Sequence, residues 1–294
     1  MQKQNKCVMK KLLVTLLFVS TCSISLWAQQ FIVKTPTDMI PGKPCDKSIV
    51  KVSYIMNFVN DTTQSPIKPI NETMILEVGK KISQFYCYTS FVGDSIFSSG
   101  IKNGLSQSLI NENLGKYGMG KISWRIYKNF NGPGTTTMLD ALGMERFKCE
   151  ESNERPQWKL SGDTIRVIGY LCHKATTTYK GREWSAWYAS DIPVSDGPWK
   201  LCGLPGLILK ANDSQGYFSF DANGIEKGKS EDILYKGEEY ENISRKDLNK
   251  VYTRYYSDPV GYITTNPNIS ISLTDGNGNK AKNPKNFPYN PIER

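Results

Sequence analysis

Histidine is nearly missing from this chain: 294 residues contain one, His173. A serine or cysteine nucleophile commonly recruits a histidine base, and only His173 is available for that role. Its neighbour Cys172 points to the opposite face if the segment is a strand, so the two cannot form a dyad. A single histidine also excludes a His-rich zinc or iron site. The sequence has no Gly-x-Ser-x-Gly elbow and no Cys-x-x-Cys spacing. Neither Gly79-Lys80 nor the stretch from Gly203 to Gly206 has the spacing of a phosphate loop. Asp275-Gly276-Asn277-Gly278-Asn279 begins like a calcium loop, but Lys280 and Asn286 stand where that loop needs its Gly and its twelfth-position Glu. A hairpin turn is the reading there. No catalytic, cofactor-binding or metal-binding residue is assigned.

Long apolar runs are equally scarce. The only one, Leu12 to Val19, follows Lys3, Lys6, Lys10 and Lys11 and is too short for a stable membrane span. It reads as a secretory leader, residues 1–28, cleaved after the small residue Ala28. Lipid anchoring at Cys22 is the lesser alternative, since Thr21 matches a lipobox poorly. The mature chain is therefore expected in the periplasm or cell envelope, with no span of its own, and residues 29–294 are expected to form one domain. The leader holds four Lys and no acid, so 37 basic against 28 acidic residues become 33 against 28, and the net charge falls from +9 to +5. These charges are dispersed, which excludes the basic stripe of a nucleic-acid site. Five cysteines remain after the leader, namely Cys45, Cys87, Cys149, Cys172 and Cys202. The count is odd, so at least one thiol stays unpaired within the chain; Cys172 with Cys202 is the candidate bridge.

Alternation of apolar and polar residues is abundant. Val50, Val52, Tyr54, Met56 and Phe58 form one clean strand pattern, and Met74, Leu76 and Val78 another. Strands follow over Ile82 to Tyr88, Ile122 to Ile126, Thr135 to Met138, Arg146 to Cys149, Trp158 to Leu160, Asp163 to Val167 and Tyr170 to Tyr179. Between them, Phe97, Ile101, Leu105 and Leu109 recur every fourth residue behind Asp94 or Ser95, the pattern of a helix over 94–116 that Gly100 and Gly104 weaken. Ser244 with Asp247 resembles a capping pair opening a second helix, which carries Leu248, Val251, Tyr252 and Tyr255 and stops at Asp258-Pro259. The fold class is mainly β, a β-rich α+β chain: a curved antiparallel sheet or half-open barrel with one or two short helices.

The centre of the chain is the stretch from Trp184 to Phe220. Trp184, Ala186 and Tyr188 alternate with Ser185, Trp187 and Ala189, so both faces of this strand carry a large aromatic. Asp196-Gly197-Pro198 breaks it. Pro205-Gly206 signals a type II turn, and the apolar Leu204 and Leu207 beside it point either to a tip buried in the core or to a binding tip. The run Gly197-Pro198-Trp199-Lys200-Leu201-Cys202-Gly203-Leu204-Pro205-Gly206-Leu207-Ile208 closely resembles the GLPGLI family of Gram-negative envelope proteins. The likeness extends through Cys172-His173-Lys174-Ala175, Gly181-Arg182-Glu183-Trp184 and Pro288-Tyr289-Asn290-Pro291-Ile292-Glu293. The resemblance implies an exported protein without a settled biochemical function, and it carries over no catalytic residue.

Trp184, Trp187 and Tyr188 are the candidate apolar groove, either core filling or a surface for a lipid, peptide or glycan. Three functional classes remain. The favoured one is a non-enzymatic envelope protein that binds an apolar small molecule or an envelope partner. A structural component of an envelope assembly is the alternative. A hydrolase ranks last, because it needs Asp191, Asp196 or Cys202 to converge in a cleft.

Overall fold

The structure, a computed structural model, describes residues 42–118, 120–143, 145–152, 154–228, 230–266, 270–273 and 279–294. The leader, the cleavage position, Cys22 and the turn around Asp275 to Gly278 lie outside the described residues. The chain divides into two compact units, the larger over 42–249 and 288–294 and the smaller over 250–287.

In the larger unit the elements run β1 (Lys43–Lys47), β2 (Val50–Phe58), β3 (Ile70–Val78), β4 (Ser83–Cys87), α1 (Tyr88–Lys102), α2 (Gln107–Tyr117), β5 (Arg125–Lys128), β6 (Thr135–Leu142), β7 (Glu145–Ser152) and β8 (Lys159–Val167). They continue with β9 (Tyr170–Tyr179), β10 (Arg182–Ala189), β11 (Leu207–Asp213), β12 (Phe218–Lys227), β13 (Asp232–Tyr235), β14 (Glu241–Asn242) and the start of α3 (Arg245–Ser257). Among the described residues, twelve strands form one sheet in the order β14-β7-β6-β5-β4-β3-β2-β12-β11-β10-β9-β8, with β1 and β13 as a separate ribbon. All neighbours are antiparallel except β14 and β7, which run parallel.

The sheet is open but strongly curled. Nine strand spacings separate β7 from β9, about 43 Å if the sheet were flat. Yet Lys180, at the end of β9, brings its ammonium to 3.7 Å from Glu151 on β7. The concave face is aromatic: Trp124 stacks on Phe85, Phe85 meets Tyr54 and Phe220 edge-on, and Phe220 stacks on Trp184. Each such contact adds about 0.5–1.5 kcal/mol beyond the burial of its area. The period-two residues of β2 point into this face, and all five are buried.

Two local expectations are corrected. The helix expected over 94–116 is a pair of helices, because Gly104 adopts φ +68° and Ser106 starts α2 by accepting from Leu109 N. Tyr88, expected to end a strand, opens α1. Farther along, the segments around Trp158 and Asp163 are one strand, β8, interrupted by a bulge between Leu160 and Thr164.

The smaller unit contains the rest of α3 and α4 (Pro259–Ile263). The Asp258 carboxylate caps α4 by accepting from Gly261 N, so Asp258-Pro259 ends one helix and opens another. Tyr255 meets Tyr256 and Tyr262 edge-on, and Phe287 N donates to Tyr256 O at 2.8 Å. Among the described residues no helix is long and apolar enough to cross a membrane.

Candidate functional site

β10 pairs with β9 through Trp184–Thr177, Ala186–Ala175 and Tyr188–His173, and with β11 through Trp184–Asp213 and Ala186–Ala211. This register turns Trp184, Ala186 and Tyr188 to the concave face. Trp187 is on the other face, half-buried, with the Lys174 ammonium 5.8 Å from its ring. The candidate groove is thus divided by the sheet, since strand side chains alternate between faces. Trp184 is core, fully buried against Phe220 and Trp199.

After β10 the chain turns back across its own concave face, and loop backbone bonds hold it there. Ile192 N donates to Ala189 O, Leu207 N to Ile192 O, and Ile208 N to Asp196 O at 3.0 Å. Pro205 centres a three-residue turn in which Gly206 N donates to Leu204 O at 2.8 Å, in place of the four-residue type II turn expected. The type II geometry is lost because Leu207 N, its donor, is committed to Ile192 O. Gly206 is required by proximity: a Cβ there would lie 2.3 Å from Ala189 O. Leu204, Leu207 and Ile208 are buried, so the apolar turn is a buried one, with only Gly203 and Pro205 at the surface. Trp199 has φ +52°, a strained conformation for a bulky residue, and is held by ring contacts with Trp184 and Tyr179 at 5.5 and 5.8 Å.

Residues 177–210 match the Porph_ging family. That family is described as a protein of unknown function, and it is the one whose hexapeptide the chain carries. No curated protein matches. Two structures of PNGF-II, in the P21 and C2 space groups, are similar at 17% and 16% identity with TM-scores of 0.48 and 0.46. The matches cover 72% and 71% of this chain and 34% and 33% of those chains, so the chain spans about a third of their length.

Charged side chains support the Porph_ging segment from below. Lys128 on β5, whose side chain is 2% exposed, donates to the Asp196 carboxylate, to Gly197 O at 2.6 Å and to Leu201 O at 3.5 Å. Lys200, in the middle of the motif, lies 2.5 Å from Glu151 and 2.6 Å from Glu293. Arg245 reaches the same Glu151 at 2.7 Å. Arg182 at the start of β10 bonds Asp213 at 2.8 Å, and it also donates to the Asn290 side chain, Pro291 O and Ile292 O. The segment 288–294 is thereby fastened onto the concave face. Little in the sequence signals this network, although Lys200 and Arg182 stand out as charges between buried aromatics.

Burial alone would raise the Glu151 carboxyl, but the Arg245 hydrogen bond and the Lys200 and Arg245 charges outweigh it and hold Glu151 at about 2, against an ordinary 4.5. A carboxylate depressed on folding stabilises above its unfolded pKa and loses that contribution as pH falls. Between pH 4.5 and 2 the wild type is expected to lose about 3 kcal/mol from this group. Chemical denaturation of Glu151→Gln across that window should show a correspondingly flatter acid limb; an unchanged limb contradicts the assignment.

The remaining candidates are dispersed. No disulfide joins Cys172 and Cys202, so the expected bridge is not formed. Cys172 lies on the Trp187 face and donates towards Tyr170 O, whereas Cys202 lies on the concave side, where it joins burial in pushing up the Tyr179 hydroxyl. The sheet stands between them. Glu183 and Asp191 are exposed, Asp196 is committed to Lys128, and His173 lies half-buried against Tyr188.

Sequence reasoning missed the surface of the α1–α2 pair. Tyr88, Phe91, Ile101, Leu105, Leu109 and Tyr117 are exposed by 37% to 67%, while the buried residues of α1 are Ser90, Gly93, Asp94 and Gly100. The fourfold spacing of Ile101, Leu105 and Leu109 was visible, but it reads as a core-facing stripe.

Proposed function

We propose that this is an exported cell-envelope protein that binds an apolar partner without chemistry of its own, and that the α1–α2 pair is the surface it uses. The observation that carries the reading is the inverted distribution just described. A helix of a globular protein ordinarily turns its apolar stripe inward, whereas six large apolar side chains within residues 88–117 face outward. Large apolar side chains exposed together on one pair of helices are the kind of surface that serves binding. Export is part of the proposal and rests on the leader-like opening of the sequence.

The test is native mass spectrometry of the protein purified from its own envelope without detergent. The expected result is a reproducible additional mass, lost in the double variant Leu105→Ser, Leu109→Ser. Both residues are exposed, so the variant should fold as the wild type does, with stability changed by about 0.5 kcal/mol or less. A bound species retained undiminished by this variant would overturn the assignment to α1–α2.

A further inference from the structure

The segment 288–294 has no regular secondary structure in the structure, yet its seat is built with unusual specificity. One guanidinium, Arg182, with its side chain 1% exposed, donates to the Asn290 side chain at 2.8 Å, to Pro291 O at 2.5 Å and to Ile292 O at 3.0 Å. Asn290 answers by donating from Nδ2 to Val59 O at 2.8 Å. One step farther, Glu293 meets Lys200 at 2.6 Å and Arg245 at 3.7 Å, and Arg294 N donates to Lys180 O at 3.0 Å. Gly181 leaves room for this passage, since a Cβ there would lie 2.6 Å from the Arg294 Cβ.

We infer that this seat is a peptide-recognition site for an extended segment of the form Asn-Pro-apolar-Glu, and that residues 290–293 are its resident occupant. The physical reason is the charge left behind when the segment departs. Arg182 would keep Asp213 but lose three acceptors, and Lys200 would keep Glu151 but lose a carboxylate. Cations this buried are costly without partners. Any occupant that replaces the segment must therefore supply a side-chain amide, two backbone carbonyls and an acid, in that order. A partner protein presenting that pattern in extended form satisfies the seat, and apolar or basic segments do not. This site is independent of the α1–α2 surface.

The probe is a fluorescently labelled peptide, Pro-Tyr-Asn-Pro-Ile-Glu-Arg, titrated against the full chain. Glu293→Lys places a third cation beside Lys200 and Arg245 and weakens the resident segment. The labelled peptide is expected to bind this variant at least about tenfold more tightly than wild type, with a scrambled peptide failing to compete. A folded variant that binds no more tightly than wild type, or that binds the scrambled peptide equally, overturns the inference. Should Glu293→Lys not fold, hydrogen exchange in the wild type decides. Excess peptide must accelerate exchange of the Arg294 amide, and an unchanged rate across the peptide series overturns the inference.

Discussion

Replacing Arg182 by Met is expected to destabilise the larger unit by about 3–5 kcal/mol, the cost of removing one partner from a buried ion pair. Both side chains of the Arg182–Asp213 pair are 1% exposed. Methionine preserves much of the aliphatic stem but removes the guanidinium, whose carbon sits 4.5 Å from the Phe218 ring centroid. The loss therefore reports chiefly on charge and hydrogen bonding. Asp213 would still accept from Tyr217 N and Phe218 N at 2.8 and 3.0 Å, but its other oxygen would remain buried opposite a methyl group. Adding Asp213→Asn should cost less in the Arg182→Met background than in the wild type, because the charge left unpaired is removed. Urea denaturation of the four proteins measures this coupling. Strict additivity would show that the pair does not act as one unit.

Lys128→Met should be comparably severe, again about 3–5 kcal/mol. The ammonium is the meeting point of the Asp196 carboxylate and the carbonyls of Gly197 and Leu201. These three acceptors lie on the loop that presents the hexapeptide, so the ion pair fixes the loop to β5 as well as stabilising the unit. The variant should also release strain at Trp199, whose positive φ persists only while the loop is pinned. Near-ultraviolet circular dichroism should show weakening of the Trp199–Trp184 signal together with the stability loss. A native spectrum at full stability would contradict this account of the motif.

Much of the fold was legible because strands announce themselves locally. The alternation Val50, Val52, Tyr54, Met56 and Phe58 predicts β2 to the residue, since a strand with one buried face needs period two. Tyr170 to Tyr179 is likewise β9 at both ends. Ser244 and Asp247 form the capping pair expected, with Ser244 Oγ donating to Asp247 at 2.7 Å and accepting from Asp247 N. The expectation of one helix over 94–116 failed at Gly104, where one residue in a left-handed conformation divides two helices whose apolar spacing runs on across the break.

The candidate site was legible in its motif and opaque in its chemistry. Sequence alone determined the mainly β class, the antiparallel strands, the likeness to the GLPGLI family and the scarcity of histidine, all of which depend on neighbours along the chain or on composition. Only tertiary structure decided that Cys172 and Cys202 face opposite sides and that Lys180 meets Glu151. The same holds for Arg182 and residues 290–292, more than a hundred positions apart in the chain. Such pairings follow from strand order and from how far a twelve-stranded sheet curls, and both are set by packing across the whole concave face, which no local pattern encodes.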